Sequence, residues 1–288
     1  NFPFFFYYNI PHMTSQNISS ILQTCKIDPK EKIEYPPIAI SFGNKVLNSR
    51  SGNKVLKVPI CTYGNISFLQ APPKSKKSFC ISLFASAYLA SNHFSAEIRG
   101  NRKGKSLLHF DTEQAPFHAS IGFRRVVDMS SVSDKYHTFA LRQLSYKLRI
   151  AAIEQALIEI KDVGLLIIDG IADLVSDVND LEQSSRCVQK LMEWTTNFNC
   201  HIMTVIHSNA GTSKPTGHLG SFLEKKAETQ IELELNTVHT DWVTVSCKRS
   251  RGYPFEKFSF KINEVGLPEV IGDIYDPLKD FNKNSGTT

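Results

Sequence analysis

The chain has 288 residues, with 33 Lys and Arg against 28 Asp and Glu for a formal charge of +5, and 41% hydrophobic residues. This mixture supports one large globular domain or a core with a small appendage, and excludes a low-complexity or strongly charged disordered chain. The small positive excess tolerates a polyanionic partner without demanding one.

NFPFFFYYNIP at the start is aromatic, interrupted by prolines and without a basic lead-in. It therefore reads as a segment packed on the domain or on a neighbouring subunit, and not as a signal peptide. Residues 1 to about 50 read as polar and irregular, with a turn at NSRSGN. GNISFLQ (64–70) predicts a short strand, and SFCISLFASAYLA (78–90), apolar nearly all round, predicts a buried helix. NRKGK (101–105) reads as a basic loop, then SLLHF (106–110) and HTFAL (137–141) as strands.

SYKLRIAAIEQALIEI (145–160) predicts a helix with Leu148, Ala152, Ile153, Ala156, Leu157 and Ile160 on one face. VGLLIID (163–169) is the continuous apolar run of a strand buried on both faces. A second amphipathic helix follows over 179–198, with Leu181, Val188, Leu191, Met192 and Phe198 at helical spacing; CHIMTVIHS (200–208) is another buried strand. After the loop NAGTSKPTGHLG, the alternating runs TQIELEL, WVTVSCK and FEKFSFKI read as an antiparallel set.

The expected fold is α/β, a mostly parallel twisted sheet flanked by helices with antiparallel carboxyl-terminal strands. The expected division is an extension over 1–57, a core over 58–275 and a disordered tail over 276–288. Six cysteines stand singly, without a Cys-x-x-Cys pair, which fits reduced thiols in a cytoplasmic protein better than a disulfide framework or zinc site. No apolar run approaches the roughly 18 residues of a membrane helix.

APPKSKKS (71–78) lies between a strand and a buried helix, where backbone N–H groups at a helix start can hold phosphates. Against the pattern G-x-x-x-x-G-K-[ST], Ala71 and Lys76 replace the glycines while Lys77 and Ser78 fit. Lys76 then needs a backbone conformation it adopts only under strain. A solvated lysine-rich loop is the plain alternative.

Further on, Asp169 closes a buried strand, Glu113 follows another in FDTEQ, and His207 ends the next. An acid in the first position can support Mg²⁺, one in the second can orient a water, and the histidine can sense a γ phosphate. A cap, a surface acid and a structural histidine are the respective alternatives. CKRSRG (247–252) supplies Lys248, Arg249 and Arg251, either solvated or reaching a neighbour's nucleotide. All of these are expected at the carboxyl ends of strands, where open α/β sheets bind ligands.

In this order the stations APPKSKKS, FDTEQ, LLIIDG, VIHSN and CKRSRG resemble those of a RecA-like P-loop ATPase, close to the RepA-type and DnaB-type hexameric helicases, over roughly residues 58–262. The resemblance implies ATP and Mg²⁺ as cofactors, with Lys74, Ser75, Lys76, Lys77, Ser78 and Phe79 around the nucleotide. It implies Mg²⁺ at Ser78 and Asp169, Glu113 activating water, and His207 as sensor. Arg249 and Arg251 match the basic finger pair, with Lys248 as second choice. Ser208, Lys214 and Thr216 would face single-stranded DNA in the channel of a hexameric ring. The two absent glycines are the departure from the family's pattern.

Three functions follow from this resemblance. One is an ATP-hydrolysing motor or switch on DNA, in replication or mobilisation of a plasmid, phage or mobile element. Another is a scaffold or helicase loader for replication partner proteins, with a degenerate nucleotide site. The third is a DNA-binding regulator indifferent to nucleotide. A small-molecule kinase shares the phosphate loop but not the terminal hairpins, and a dinucleotide fold would need G-x-G-x-x-G.

Overall fold

Runs of apolar residues buried on both faces make up the centre of this protein, and three of them leave a polar last residue, Asp111, Asp169 or His207, at one edge of the sheet. The computed structural model describes residues 15–49, 52–91, 98–209, 212–236 and 239–271; the aromatic start and the 276–288 tail lie outside them. By its internal contacts the chain divides into two compact units, residues 1–35 and 36–288. In the first, α1 (Ser15–Cys25) carries Ile18, Ile21 and Leu22 at helical spacing.

The second unit opens with an antiparallel hairpin, β1 (Ile38–Ser49) and β2 (Gly52–Thr62). This corrects the irregular reading of the first 50 residues. It also places the expected boundary at residue 58 inside a continuous strand. The core then runs β3 (Ile66–Ala71), α2 (Lys77–Ala90), β4 (Ile98–Gly100), β5 (Ser106–Asp111), α3 (Pro116–Ser130), β6 (Tyr136–Ala140) and α4 (Tyr146–Glu159). It continues with β7 (Val163–Asp169), a 3₁₀ turn (Ile171–Leu174), α5 (Leu181–Phe198), β8 (His201–His207) and α6 (Gly217–Lys226). Last come β9 (Thr229–Leu235), β10 (Trp242–Ser250), β11 (Phe258–Ile262) and β12 (Pro268–Ile271).

Among the described residues the main sheet has the order β12-β11-β10-β9-β3-β8-β7-β5-β6, and a second sheet has the order β2-β1-β4. Strands β6, β5, β7, β8, β3 and β9 are parallel, while β10, β11 and β12 pair antiparallel beyond them. The α/β class with an antiparallel carboxyl-terminal edge is therefore as expected. One detail differs: TQIELEL is not part of an antiparallel set on both sides. It lies parallel to β3 and is the strand at which direction reverses.

Two apolar layers hold the sheet. One packs α2, Val126 of α3 and the small sheet, with Phe42 stacked on Phe258 at 4.3 Å. The other packs α4, α5 and α6 around Leu166, Ile168 and Trp194. The helical faces came out as predicted except at their first turns, where Leu148 and Leu181 are exposed.

Strand β8 lies between β3 and β7. That insertion sets the site, because it puts His207 between the phosphate loop and the acids ending β5 and β7.

Candidate active site

The segment from Ala71 to Lys77 leaves the sheet and turns back into α2. Two lysines make the turn in the left-handed region, Lys74 at φ 61° and Lys76 at φ 63°, ψ 30°. Non-glycine residues held there cost on the order of 1 kcal/mol or more each. The Ser75 hydroxyl donates to Pro72 O at 2.6 Å and pins the turn from inside. No side chain caps α2. Among the described residues no protein acceptor faces the N–H groups of Lys76, Lys77 and Ser78. These free donors are what an anion at a helix N-terminus requires.

Lys77 is buried, and its Nζ donates to Pro72 O at 3.3 Å and to His207 Nδ1 at 3.1 Å. With Nδ1 accepting, the neutral ring carries its proton on Nε2, which faces Glu113 Oε1 at 3.6 Å. Burial lowers the Lys77 pKa, and Glu113 and Asp169 oppose that shift. The interaction with His207 is the largest influence on Glu113 and holds its carboxyl below the usual range, against burial.

Asp169 is buried at the end of β7 and accepts from Ser78 Oγ at 3.4 Å. Burial, then the neighbouring Asp111 and Glu113, push its pKa up to about 7. A divalent cation would relieve this crowding of carboxylates. Ser78 Oγ and Asp169 are oxygen donors of the kind Mg²⁺ takes, so the residues present fit Mg²⁺ with a nucleotide phosphate.

Three residues not singled out from sequence build the Glu113 position. Asp111 Oδ1 accepts from the backbone N–H groups of Glu113 and Gln114 at 3.0 and 2.8 Å. Thr112 Oγ1 lies 3.0 Å from Asp169 O and 2.8 Å from Gly170 O, tying the two strand ends together. Gly170 has φ 102°, and a Cβ there would lie 2.3 Å from Thr112 Oγ1 and 2.7 Å from Glu113 Cγ. The sequence signal was available in DTE and DG, short acidic turns directly after buried strands.

The structure thus brings Lys77, Ser78, Glu113, Asp169 and His207 into one site. Lys74 is exposed in the loop above it, and Phe79 lies under the Arg125 guanidinium at 3.8 Å. Arg249 and Arg251 are elsewhere: Arg249 does stand at the carboxyl end of β10, but not at the edge of the sheet where the other stations lie, which corrects the expectation that all of them share one edge. β10 runs antiparallel, so its last residue, Ser250, pairs with Thr229, itself level with Ser67 near the start of β3. Arg249 faces Glu224 at 3.7 Å with an exposed side chain, and Arg251 donates to Lys226 O at 2.7 Å.

Ser208 and Thr216 close the base of the β8–α6 connection. Ser208 is buried and donates its N–H to Ala71 O, while Thr216 N and Oγ1 both donate to His207 O. Of the three expected DNA contacts, only Lys214 has an exposed side chain.

A family model described as an AAA domain matches residues 45–213. The matched span covers more than half of the chain and runs from β1 through the phosphate loop to the connection after His207. Comparison with curated proteins finds no match.

Proposed function

The chain belongs to the AAA-domain family of P-loop ATPases, and on that premise we propose that it is an ATP-hydrolysing, DNA-associated motor or switch of the RepA/DnaB-type group. It would work in the cytoplasm as a homo-oligomeric ring, in replication or mobilisation of a plasmid, phage or mobile element. The observation that carries the nucleotide part is Lys76, already at φ 63° with Lys77 turned inward behind it. The strain expected of a glycine-free loop is borne by the folded chain, so phosphate does not have to impose it.

Position supports the following roles. Backbone N–H groups of Lys76, Lys77 and Ser78 bind phosphate oxygens, and Lys77 adds its charge. Bound Mg²⁺ neutralises charge on the phosphates. Glu113, held ionised beside His207, accepts a proton from water. His207 contacts both Lys77 and Glu113 and holds Thr216 by its carbonyl, so a change at the phosphates passes to the β8–α6 connection. Arg249 and Arg251, at the far end of the sheet, reach a neighbouring subunit's nucleotide, and Lys214 meets phosphates of single-stranded DNA. No helix among the described residues is long and apolar enough to cross a membrane.

Calorimetry of ATP and ADP with Mg²⁺, on the wild type and Lys77→Ala, with and without oligo-dT, tests this. The expected result is micromolar affinity, about −8 kcal/mol, lost in the variant. Absence of binding to the wild type would leave a scaffold or loader as the function.

A further inference from the structure

The resemblance leaves Lys248 a choice between solvent and a neighbour's phosphates, and the structure offers a third position. β10 slips register between Cys247, which pairs with Ile231, and Arg249, which pairs with Gln230. Lys248 is the extra residue, and bulges of this kind re-aim a side chain. Its Nζ meets Glu232 Oε1 at 3.0 Å and also donates to Ser213 O. Gln70, the residue before Ala71 on β3, donates from Nε2 to the same two acceptors, at 2.8 Å to Glu232 Oε1 and 2.9 Å to Ser213 O. Gln70 Oε1 in turn accepts from Gln230 at 2.8 Å.

Two donors from two strands therefore converge on one carbonyl of the β8–α6 connection and on one carboxylate. The Lys248 and Glu232 side chains are only 22% and 16% exposed. Extending Lys248 outward would leave Glu232 half-buried without its cation, which is unfavourable.

We propose that Lys248 is a positioning residue within its own subunit. With Gln70 it clamps Ser213 and so fixes the adjacent Lys214 against the strand that carries the phosphate loop. The clamp gives Lys214 its DNA-binding role a defined geometry, and in that respect it rests on the reading above.

Hydrogen exchange on the full chain tests it directly. In Lys248→Met and Gln70→Leu, the Asn209 and Thr216 amides, which bond to Lys214 O and His207 O, should exchange about tenfold faster. Lys248→Arg should restore them, and β7 amides should not change. Oligo-dT affinity of Lys248→Met without nucleotide should fall by about tenfold. Unchanged exchange in Lys248→Met overturns the clamp. So does faster exchange spread along the β9–β10 ladder, which marks a purely structural ion pair. Recovery of ATP turnover on mixing Lys248→Met with Lys77→Ala subunits would make Lys248 a finger after all. If the wild type binds no oligo-dT, the DNA reading fails, and the exchange rates still decide the clamp.

Discussion

Asp169 carries the largest electrostatic tension in the site. Its pKa, raised by burial and by two neighbouring acids to about 7, means that the folded chain holds a proton the unfolded chain has lost. Stability from this group is fully present below the unfolded value near 4 and is lost as pH rises through about 7. Asparagine cannot ionise. In metal-free, nucleotide-free buffer, Asp169→Asn should therefore gain stability over the wild type, by about 2 kcal/mol more at pH 8 than at pH 5. Denaturant unfolding at the two pH values measures the difference, and an equal gain at both would mean that Asp169 titrates normally. Lys74 and Lys76 carry a different tension, in the backbone. The identity of Lys76 as a strained position could be read from the motif. That of Lys74 could not, because the pattern used leaves that position free.

At the scale of elements, period and length made the buried strands and α2, α4 and α5 legible. Continuous runs such as VGLLIID have one stable use, the middle of a parallel sheet. The β1–β2 hairpin was not legible, since polar residues such as Asn44 and Lys57 pair across it and obscure the alternation. α3 is likewise not legible, because FHASIGFRRVVDMS buries only Ala119, Val126 and Ser130. The direction of β9 could not be read either, because an alternating run serves equally beside a parallel or an antiparallel neighbour. The hairpin is docked through Phe42, buried between Phe258 at 4.3 Å and Phe255 at 6.2 Å. Phe42→Ala should cost about 3 kcal/mol. A shift of the urea midpoint at constant slope reports it, and a loss below about 1 kcal/mol would mean that the hairpin contributes little to the core.

Across the whole molecule, the clustering of the five candidate residues is legible in their order in the chain, because a parallel sheet delivers strand ends to one edge. The same reasoning misplaced Arg249 and Arg251, because a strand of reversed direction delivers its end to the other edge. Four strand residues, about 13 Å, separate the level of Ser250 from that of Ala71. On the proposed reading one subunit cannot complete its own nucleotide site. Subunits with Arg249→Ala and Arg251→Ala, and subunits with Lys77→Ala, should each be inactive alone. An equal mixture should regain turnover at about a quarter of its sites, those pairing an intact loop with an intact finger. A mixture as inactive as its parts would end the finger assignment.

Lys77 has a further consequence, in the heat of binding. Its ammonium is in contact with the Pro72 carbonyl and the His207 ring, so on the proposed reading phosphate would arrive as a replacement and not as a first partner. A calorimeter would then register the contacts formed less those surrendered, and the measured affinity would fall short of the loop's intrinsic attraction for phosphate by the strength of the contacts given up. Lys77 is in this sense liganded by its own chain. On the proposed reading the same exchange would free His207 at the moment Lys77 is taken, so that occupancy of the loop and release of the histidine would be one event.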